Sequence, residues 1–206
     1  HRYQLGIWDS CISVPDAAEK AASWALVEAG ISDSDVLFGI NPGALLPTRR
    51  WPIENFERLA SVLTKEADRP LLVTGGEEER GLVERVAGAA RGKVASAVAK
   101  PLMEVAALIG RCRVFITNDT GVMHIAAVQN VPVVALFGRT NSHRYRPHMP
   151  ADRCVVLQRP TSVCEEFKPG TKRTECRRDS CPTVACMTTM SFDWVFHAVE
   201  HLLESH

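Results

Sequence analysis

The stretch RVFITNDTGVMHIAAVQNVPVVALFG, residues 113–138, decides the fold of this chain. The apolar run at 114–116 predicts a strand that ends in the polar turn 117–121, where a helical pattern begins, and a second strand follows at 133–137. In open α/β sheets, ligands bind where strands end and helices begin. A helix start also offers free backbone N–H groups and a positive dipole end, which suit a phosphate. Four residues of this turn are candidate ligand contacts: Asp119, Thr120, Gly121 and His124.

Strand and helix patterns alternate along the rest of the chain. The predicted strands cover residues 35–40, 70–74, 94–98, 114–117, 133–137 and 154–157. The predicted helices cover residues 16–29, 53–66, 77–90, 102–109, 122–129 and 192–203. Asp16, Pro52 and Ser191 suit helix starts, and Gly30 suits a helix end. This alternation predicts a parallel sheet with right-handed crossovers, whereas residues 139–150 and 161–187 are expected to be irregular.

Composition indicates an ordinary globular protein. The 206 residues suffice for one large or two small domains, and the chain is 46% hydrophobic and 23% charged. Basic and acidic residues both number 24, and this zero net charge argues against a general nucleic-acid binder. A single pocket can still be positive and bind a small anion. Neither a membrane-spanning apolar run nor a signal peptide is visible.

Seven cysteines are present, and their odd number and scattered placement are typical of a cytosolic protein rather than a secreted disulfide scaffold. Three are isolated and four cluster near the C-terminus: Cys11, Cys112 and Cys154, then Cys164, Cys176, Cys181 and Cys186. Structural zinc sites usually have a close pair of cysteines on each side. Buried free thiols are therefore the favoured interpretation of the cluster, followed by a zinc or iron–sulfur site and then by a disulfide.

Five motifs, in this order, resemble the C-terminal half of glycosyltransferase family 9, the ADP-heptose:lipopolysaccharide heptosyltransferases. They are NPGA (41–44), RRWP (49–52), LLVTGGEEE (71–79), TNDTGVMHIAA (117–127) and VPVVALFGRTNSHRYRP (131–147). The fourth motif is the most specific, and the resemblance covers about residues 36–150, with a looser match in the tail. It implies a Rossmann-like parallel sheet with helices on both faces, the C-terminal domain of a GT-B glycosyltransferase.

We accordingly expect three regions in the chain. Residues 1–34 would be a linker or N-terminal extension, and residues 35–160 a nucleotide-sugar-binding domain. Residues 161–206 would form a cysteine-containing tail whose last helix packs back on that domain.

The NPGA loop is the first expected contact with the donor phosphates. Asn41, Gly43 and Ala44 leave small side chains at a strand tip, so that backbone N–H groups can approach an anion. The four residues alone favour a plain turn between strand and helix. The resemblance favours the phosphate loop instead.

Two arginines follow this loop, and a guanidinium is a fork of donors that fits phosphate oxygens. The resemblance places the phosphate-contacting basic residue at Arg49, with Arg50 as its neighbour. The alternative is two solvated arginines in a loop. Trp51 is expected to pack rather than to contact a ligand.

An acidic run follows the next strand. A carboxylate can accept both hydroxyls of a ribose, and the resemblance gives this role to Glu79, with Glu78 as the second choice. The alternative is a charged first helical turn. By the same spacing, the backbone from Lys100 to Leu102 is expected to lie near the adenine.

The turn at Asp119 carries the most specific expectations. Thr120 and Gly121 would present N–H groups to the diphosphate, and the Thr120 hydroxyl can add a hydrogen bond. Asp119 would hold sugar hydroxyls, and His124 would donate to the sugar or to a phosphate oxygen. The alternatives are a helix-capping aspartate and a core histidine. The complete motif favours the ligand site.

The implied reaction is transfer of heptose from ADP-heptose to a lipopolysaccharide inner-core (lipid A core) acceptor, without a metal or cofactor. Helix N–H groups and arginine would stabilise the charge on the departing nucleoside diphosphate. The family's general base, an aspartate, lies in the N-terminal acceptor domain, which nothing here resembles, so no catalytic residue is assigned. Since the chain begins with His1 rather than Met, we expect a truncated piece that binds the donor but is incomplete for catalysis.

Because such an acceptor is embedded in a membrane, we expect a cytoplasmic protein with peripheral contact at the cytoplasmic face of the inner membrane. Two other classes of protein remain open. One is a nucleotide-sugar-binding module without transferase activity, and the other is a metal- or redox-responsive structural protein built around the tail cysteines.

Overall fold

The computed structural model describes residues 12–32, 34–67, 69–160 and 181–205. Its strands form one parallel sheet in the order β3-β2-β1-β4-β5-β6. The strands are β1 (Leu37–Asn41), β2 (Leu71–Gly75), β3 (Val94–Val98), β4 (Cys112–Asn118), β5 (Val133–Phe137) and β6 (Cys154–Gln158). The α-helices are α1 (Asp16–Glu28), α2 (Ile53–Ala67), α3 (Arg80–Ala89), α4 (Leu102–Ile109), α5 (Gly121–Val128), α6 (Ser142–Tyr145), α7 (Ala185–Thr188) and α8 (Phe192–Ser205).

The central strands are buried on both faces, which explains why they appear in the sequence as unbroken apolar runs. Alternate side chains enter two separate cores. Ile116 packs in the core covered by α2, α3 and α8, whereas Phe115 packs in the core covered by α1, α4 and α5. This arrangement confirms the expected Rossmann-like sheet with helices on both faces.

Gly39 allows side chains of β4 to pack closely against β1 at the middle of the sheet. A Cβ atom at this position of β1 would overlap the ring of Phe115 on β4 and would lie 2.9 Å from the Cys112 sulfur. The absence of a side chain therefore allows the Phe115 ring to lie directly over β1.

The C-terminal helix α8 is part of the same packed unit. Val195 and Val199 lie in the core that contains Phe56 of α2. The indole nitrogen of Trp51 donates to the backbone oxygen of Met190, just before α8, at 2.8 Å. Trp51 is 1% exposed, so its expected packing role is confirmed.

Several local predictions need correction. The helix predicted over 77–90 begins as a 3₁₀ turn, Glu77–Glu79, and only then continues as α3. Pro15 rather than Asp16 precedes α1, and it makes no side-chain cap bond. Two one-turn helices, α6 and α7, lie in stretches predicted to be irregular, and α6 is stabilised because the Asn141 side chain accepts from the Arg144 N–H. The ends at Gly30 and Ser191 are confirmed: Gly30 has φ +71°, and the Ser191 hydroxyl accepts from the Trp194 N–H.

Within the described part of the chain, none of the helices is both long enough and apolar enough to cross a membrane.

Candidate functional site

A wide cleft lies where β1, β2, β3 and β4 reach their carboxyl ends. From β1 the chain continues to β2 and β3 on one side of the sheet, and from β4 it continues to β5 and β6 on the other. Open α/β sheets bind ligands at the point between two such strands. Its volume is about 500 Å³, within the roughly 300–1,000 Å³ of small-molecule sites. Its walls are formed by Asn41, Ala44, Leu45, Thr74, Gly75, Gly76, Glu79, Ala99, Lys100, Leu102, Val105, Thr120, Gly121, Val122 and Ile125.

The amino end of α5 opens onto this cleft. Thr120 is the residue before the helix, and its side chain makes no capping bond. Its hydroxyl lies 3.2 Å from the Thr117 hydroxyl instead. A Cβ atom at Gly121 would meet nothing within 4 Å, so the approach to this helix start is open. The uncapped N–H groups and the positive dipole end together suit an anionic group.

Thr120 rather than Asp119 is the residue before α5, so the alternative of a helix-capping aspartate is wrong. Its carboxylate accepts from the Arg49 guanidinium, with 3.2 Å between Oδ2 and Nη1. The Asp119 side chain is 10% exposed and that of Arg49 28%. The pair therefore joins the loop after β1 to the turn after β4, although neither side chain lines the wide cleft.

Arg50 has a different position from Arg49. Its Nε and Nη2 atoms donate to the backbone oxygen of Ala44 at 3.0 and 2.8 Å. The guanidinium thus holds the loop 41–44 in place rather than lining the cleft. Of the two predicted arginines, Arg50 supports the wall and Arg49 pairs with Asp119.

Glu79 is fixed at the rim between β1 and β2. Its Oε2 atom accepts from the Gly76 N–H at 2.9 Å. A Cβ atom at Gly43 would overlap the Glu79 carboxylate, so Gly43 is needed to leave room for it. Glu78 is exposed and lies outside the cleft. The structure therefore favours Glu79 over Glu78 as the acid that a ligand would meet.

Asn41 ties the wall of the cleft to β2. Its Nδ2 atom donates to the backbone oxygen and the hydroxyl of Thr74 at 3.1 and 3.0 Å. Its Oδ1 atom is buried and has no hydrogen-bond partner among the described residues. Because this oxygen is inaccessible from the cleft, Asn41 positions the wall rather than meeting a ligand.

The part of the cleft beyond β3 is more apolar. Ala99 adopts φ +52° and turns the chain so that exposed Lys100 borders the cleft. Leu45 and Leu102 are 91% and 56% exposed and lie on the same rim. Exposed aliphatic side chains beside a polar loop suit a flat ring that carries polar edges.

His124 lies one turn into α5, is exposed and does not line the wide cleft. Partial desolvation lowers the pKa of His124, the like charge of His148 adds to the lowering, and Asp119 opposes it. The ring is therefore neutral at pH 7, with one donor and one acceptor nitrogen.

Asn118 is a residue that the motif analysis missed. Its side chain is fully buried, and its Oδ1 atom accepts from the Trp51 N–H at 3.0 Å. Its Nδ2 atom donates to the backbone oxygens of Pro42 and Gly43 at 2.9 and 3.0 Å. One amide thus connects β4 to the loop after β1. The sequence does contain a sign of this role, because Asn118 ends an apolar strand. A buried amide at such a position needs several hydrogen-bond partners.

Cys112 and Cys154 are buried free thiols, whereas Cys186 is buried and Cys181 is partly exposed. Burial raises the pKa of Cys154 to about 11 and also raises that of Cys112. Cys11, Cys164 and Cys176 lie outside the described residues. Among the residues that the structure does describe, no group of three or more metal-binding side chains occurs. The interpretation of the C-terminal cluster stays a prediction.

The fold and the cleft together define a Rossmann-like unit with an open site at its carboxyl edge. Residues 11–172 match the model of glycosyltransferase family 9 (heptosyltransferase). The chain is 31% identical over 128 residues to lipooligosaccharide heptosyltransferase 2 of Haemophilus influenzae, an alignment that covers 59% of this chain and 36% of that protein.

Solved structures also resemble this chain, and two of them are compared with it here. The glycosyl transferase family 9 structure from Veillonella parvula superposes with a TM-score of 0.77 at 28% identity, covering 95% of this chain and 54% of that one. The E. coli ADP-heptose lps heptosyltransferase II superposes with a TM-score of 0.71 at 20% identity, covering 94% and 53%. The second likeness shows the fold alone, the C-terminal domain of a GT-B enzyme.

This chain belongs to glycosyltransferase family 9. It spans about a third of the length of the Haemophilus influenzae protein and about half of each of the two solved chains.

Proposed function

We propose that the chain is the donor-binding part of a glycosyltransferase that transfers heptose from ADP-heptose to a lipopolysaccharide inner-core acceptor. The wide cleft carries this proposal, because it combines an uncapped helix start with a fixed carboxylate and an apolar rim. Membership in the family supports the proposal. Residues 35–160 would form the nucleotide-sugar-binding domain.

The proposed donor spans the cleft from β2 to β4. Glu79 accepts the ribose hydroxyls, while the adenine lies along the rim near Leu102 and the backbone of Lys100. The diphosphate lies at the N–H groups of Thr120 and Gly121. Asp119 and His124 lie on either side of Thr120 and Gly121 in the sequence. We therefore place the heptose at that end of the cleft.

In the proposed reaction, the bond between the anomeric carbon and the phosphate oxygen breaks and the nucleoside diphosphate gains negative charge. The amino end of α5 stabilises that charge, an electrostatic contribution that needs no rearrangement of the protein. Arg49 holds Asp119 in a fixed orientation through the ion pair. A second domain at the cytoplasmic face of the inner membrane would bind the acceptor, whose hydroxyl forms the new bond to the anomeric carbon, and would supply the general base that takes its proton.

The experiment is calorimetric titration of the chain with ADP and ADP-heptose, with GDP and UDP as comparators. We expect one binding site and tighter binding of the adenine nucleotides. Hydrogen bonds to a charged group contribute about 1.5–3 kcal/mol, so Glu79→Gln should weaken ADP binding about tenfold or more.

Glu78→Gln is the matched control for this titration, because Glu78 is the neighbouring acid outside the cleft. It should bind ADP like the parent chain, whereas Asp119→Ala should lose more affinity for ADP-heptose than for ADP. Absence of binding to every nucleotide, or equal losses in the Glu78 and Glu79 variants, would contradict the proposed function.

A further inference from the structure

A row of basic side chains lies in the segment that joins β5 to β6. It consists of His143, Arg144, Arg146 and His148, all of them exposed, and we call it the basic stripe. Residues 139–153, which include the stripe, contain four arginines and a single acidic residue. Since the whole chain has a net charge of zero, this segment is a local concentration of positive charge.

The stripe faces outward because the residues between its members are packed inward. From Arg144 to Met149, exposed side chains alternate with covered ones. Tyr145 and Met149 pack in the core covered by α1, α4 and α5, and Pro147 between them is buried. Asn141 fixes the start of α6, since its Oδ1 atom accepts from the Arg144 N–H at 3.3 Å. The basic side chains are therefore held at the surface before any partner binds.

Neither arginine of the stripe is neutralised by a carboxylate. On the other side of the sheet, exposed Arg85 pairs with Glu57 at 2.6 Å between Nε and Oε1. Among the residues that the structure describes, neither Arg144 nor Arg146 forms an ion pair. Their charges are therefore available to a partner that presents many negative groups.

An exposed tryptophan lies on the same side of the sheet. Trp24 of α1 is 66% exposed. It is two residues from each of the buried Ala22 and Leu26, and two residues turn a helix by about 200°. Trp24 therefore points away from the core that Ala22, Leu26 and Tyr145 share. A tryptophan in such a position suits the boundary between lipid and water, where one part of the ring is apolar and its N–H is wet.

We propose that the basic stripe binds the anionic headgroups of a membrane surface. Arginines near such a surface are attracted by its negative potential. The exposed tryptophan on the same side of the sheet favours a lipid surface over nucleic acid, which would use only the charge. The partner is thus an anionic bilayer, and the contact is electrostatic, with no covalent step.

This inference rests on the proposed function for the place of the acceptor, which is embedded in a membrane. His148, at the end of the stripe, is close enough to His124 for its charge to lower the pKa of that ring, although desolvation contributes more. The stripe therefore lies beside the part of α5 to which we assign the heptose. Contact between the stripe and lipid would bring that end of the donor towards the acceptor.

The test measures flotation of the chain with vesicles. One set is made of phosphatidylcholine alone, and the other mixes phosphatidylcholine with anionic phosphatidylglycerol. We expect binding to the anionic vesicles only, and weaker binding as sodium chloride is added, because salt screens exposed charges. Saturating ADP should leave the binding unchanged, since the stripe does not line the wide cleft.

The double variant Arg144→Gln, Arg146→Gln should lower the affinity for anionic vesicles about thirtyfold, or about 2 kcal/mol at about 1 kcal/mol per arginine. Its Tm and ADP affinity should match those of the parent chain. The matched control is Lys65→Gln, Arg91→Gln, which removes two exposed charges from the opposite side of the sheet and should keep vesicle binding. Trp24→Gln should weaken vesicle binding without changing its dependence on salt.

Three results would overturn the inference: equal binding to both kinds of vesicle, equal losses in the two double variants, or binding to a duplex DNA fragment but to neither kind of vesicle. The last result would identify a nucleic-acid surface instead. Calorimetry with ADP on the same samples separates this inference from the proposed function. A chain that binds ADP but no vesicle contradicts the membrane contact alone, whereas a chain that binds anionic vesicles but no nucleotide contradicts the proposed function.

Discussion

The wide cleft and a much smaller cavity beside Arg49 are built in different ways, although Arg49 and Asp119 connect them. The cleft draws its walls from the carboxyl ends of four parallel strands and has a volume of about 500 Å³. The small cavity, about 30 Å³, joins residues 48–49, 139–140, 181 and 183–186, which are distant in the sequence. The first site follows from the sheet topology, whereas the second requires the C-terminal segment to pack on the sheet.

This difference separates the expected effects of substitution. Changes at strand ends should alter nucleotide binding, because those residues form the cleft directly. Changes in the loop after β5 or in α7 should leave nucleotide binding intact, because neither lines the cleft. Substitutions where β1 packs against β4 should reduce stability more than ligand binding, since these two strands lie at the centre of the sheet.

Asn118→Ala should have the largest effect. It leaves the Trp51 N–H and the backbone oxygens of Pro42 and Gly43 without their partner. Buried unsatisfied groups cost about 1–3 kcal/mol each, so we expect a loss of about 3 kcal/mol in the free energy of unfolding, measured with urea, together with weaker ADP binding.

Gln129→Ala is the control for this variant, because it removes one amide hydrogen bond, to Ala106. Gln129 lies at the carboxyl end of α5, whereas the cleft is at the amino end. It should keep ADP affinity. If Asn118→Ala bound ADP normally, the amide would not position the loop after β1.

Gly39→Ala should have the next largest effect. The new methyl group would overlap the Phe115 ring and approach the Cys112 sulfur. Overpacking of a core typically costs about 1–3 kcal/mol, and we expect about 2 kcal/mol here. Gly81→Ala adds a methyl group to open space on α3 and should be neutral or stabilising. Equal urea midpoints for the two variants would show that β1 and β4 do not pack as described.

Gly43→Ala should separate ligand binding from stability. Its methyl group would displace the Glu79 carboxylate from its bond to the Gly76 N–H, but that group is the far end of a long side chain, so the stability loss should be small. ADP affinity should fall about tenfold, equivalent to about 1.4 kcal/mol. Gly88→Ala is the control, since nothing lies near its added methyl group. Unchanged ADP affinity in Gly43→Ala would argue against Glu79 as a ligand contact.

His124 should give the smallest effect, a pH dependence. Its pKa in the folded chain is lowered, mainly by desolvation, relative to about 6.5 in the unfolded chain. The unfolded state therefore binds the proton more readily, and stability should fall as the pH drops through about 6.5. The loss in Tm between pH 7.5 and 5.5 should be smaller in His124→Gln. Identical pH profiles for the two chains would contradict a lowered pKa.

The sheet could be predicted from the sequence because strands buried on both faces appear as apolar runs separated by helical patterns. The cleft residues Asn41, Glu79 and Thr120 could be found because parallel strands bring their carboxyl ends to one edge. The one-turn helices α6 and α7 could not, since four residues show no period.

Contacts between loops and strand ends could not be predicted from the sequence. The bond from Arg50 to the Ala44 oxygen and the three bonds of Asn118 depend on how loops fold over the strand ends. The small cavity beside Arg49 forms where Thr140 meets α7, which lies more than 40 residues further along the chain.

Hydrogen–deuterium exchange with and without ADP is the most direct test of a nucleotide site in the wide cleft. ADP should slow exchange over residues 75–79, 99–102 and 120–122 and leave residues 139–140 and 185–188 unchanged. Protection confined to 139–140 and 185–188, or no protection at saturating ADP, would contradict a nucleotide site at the carboxyl ends of β1 to β4.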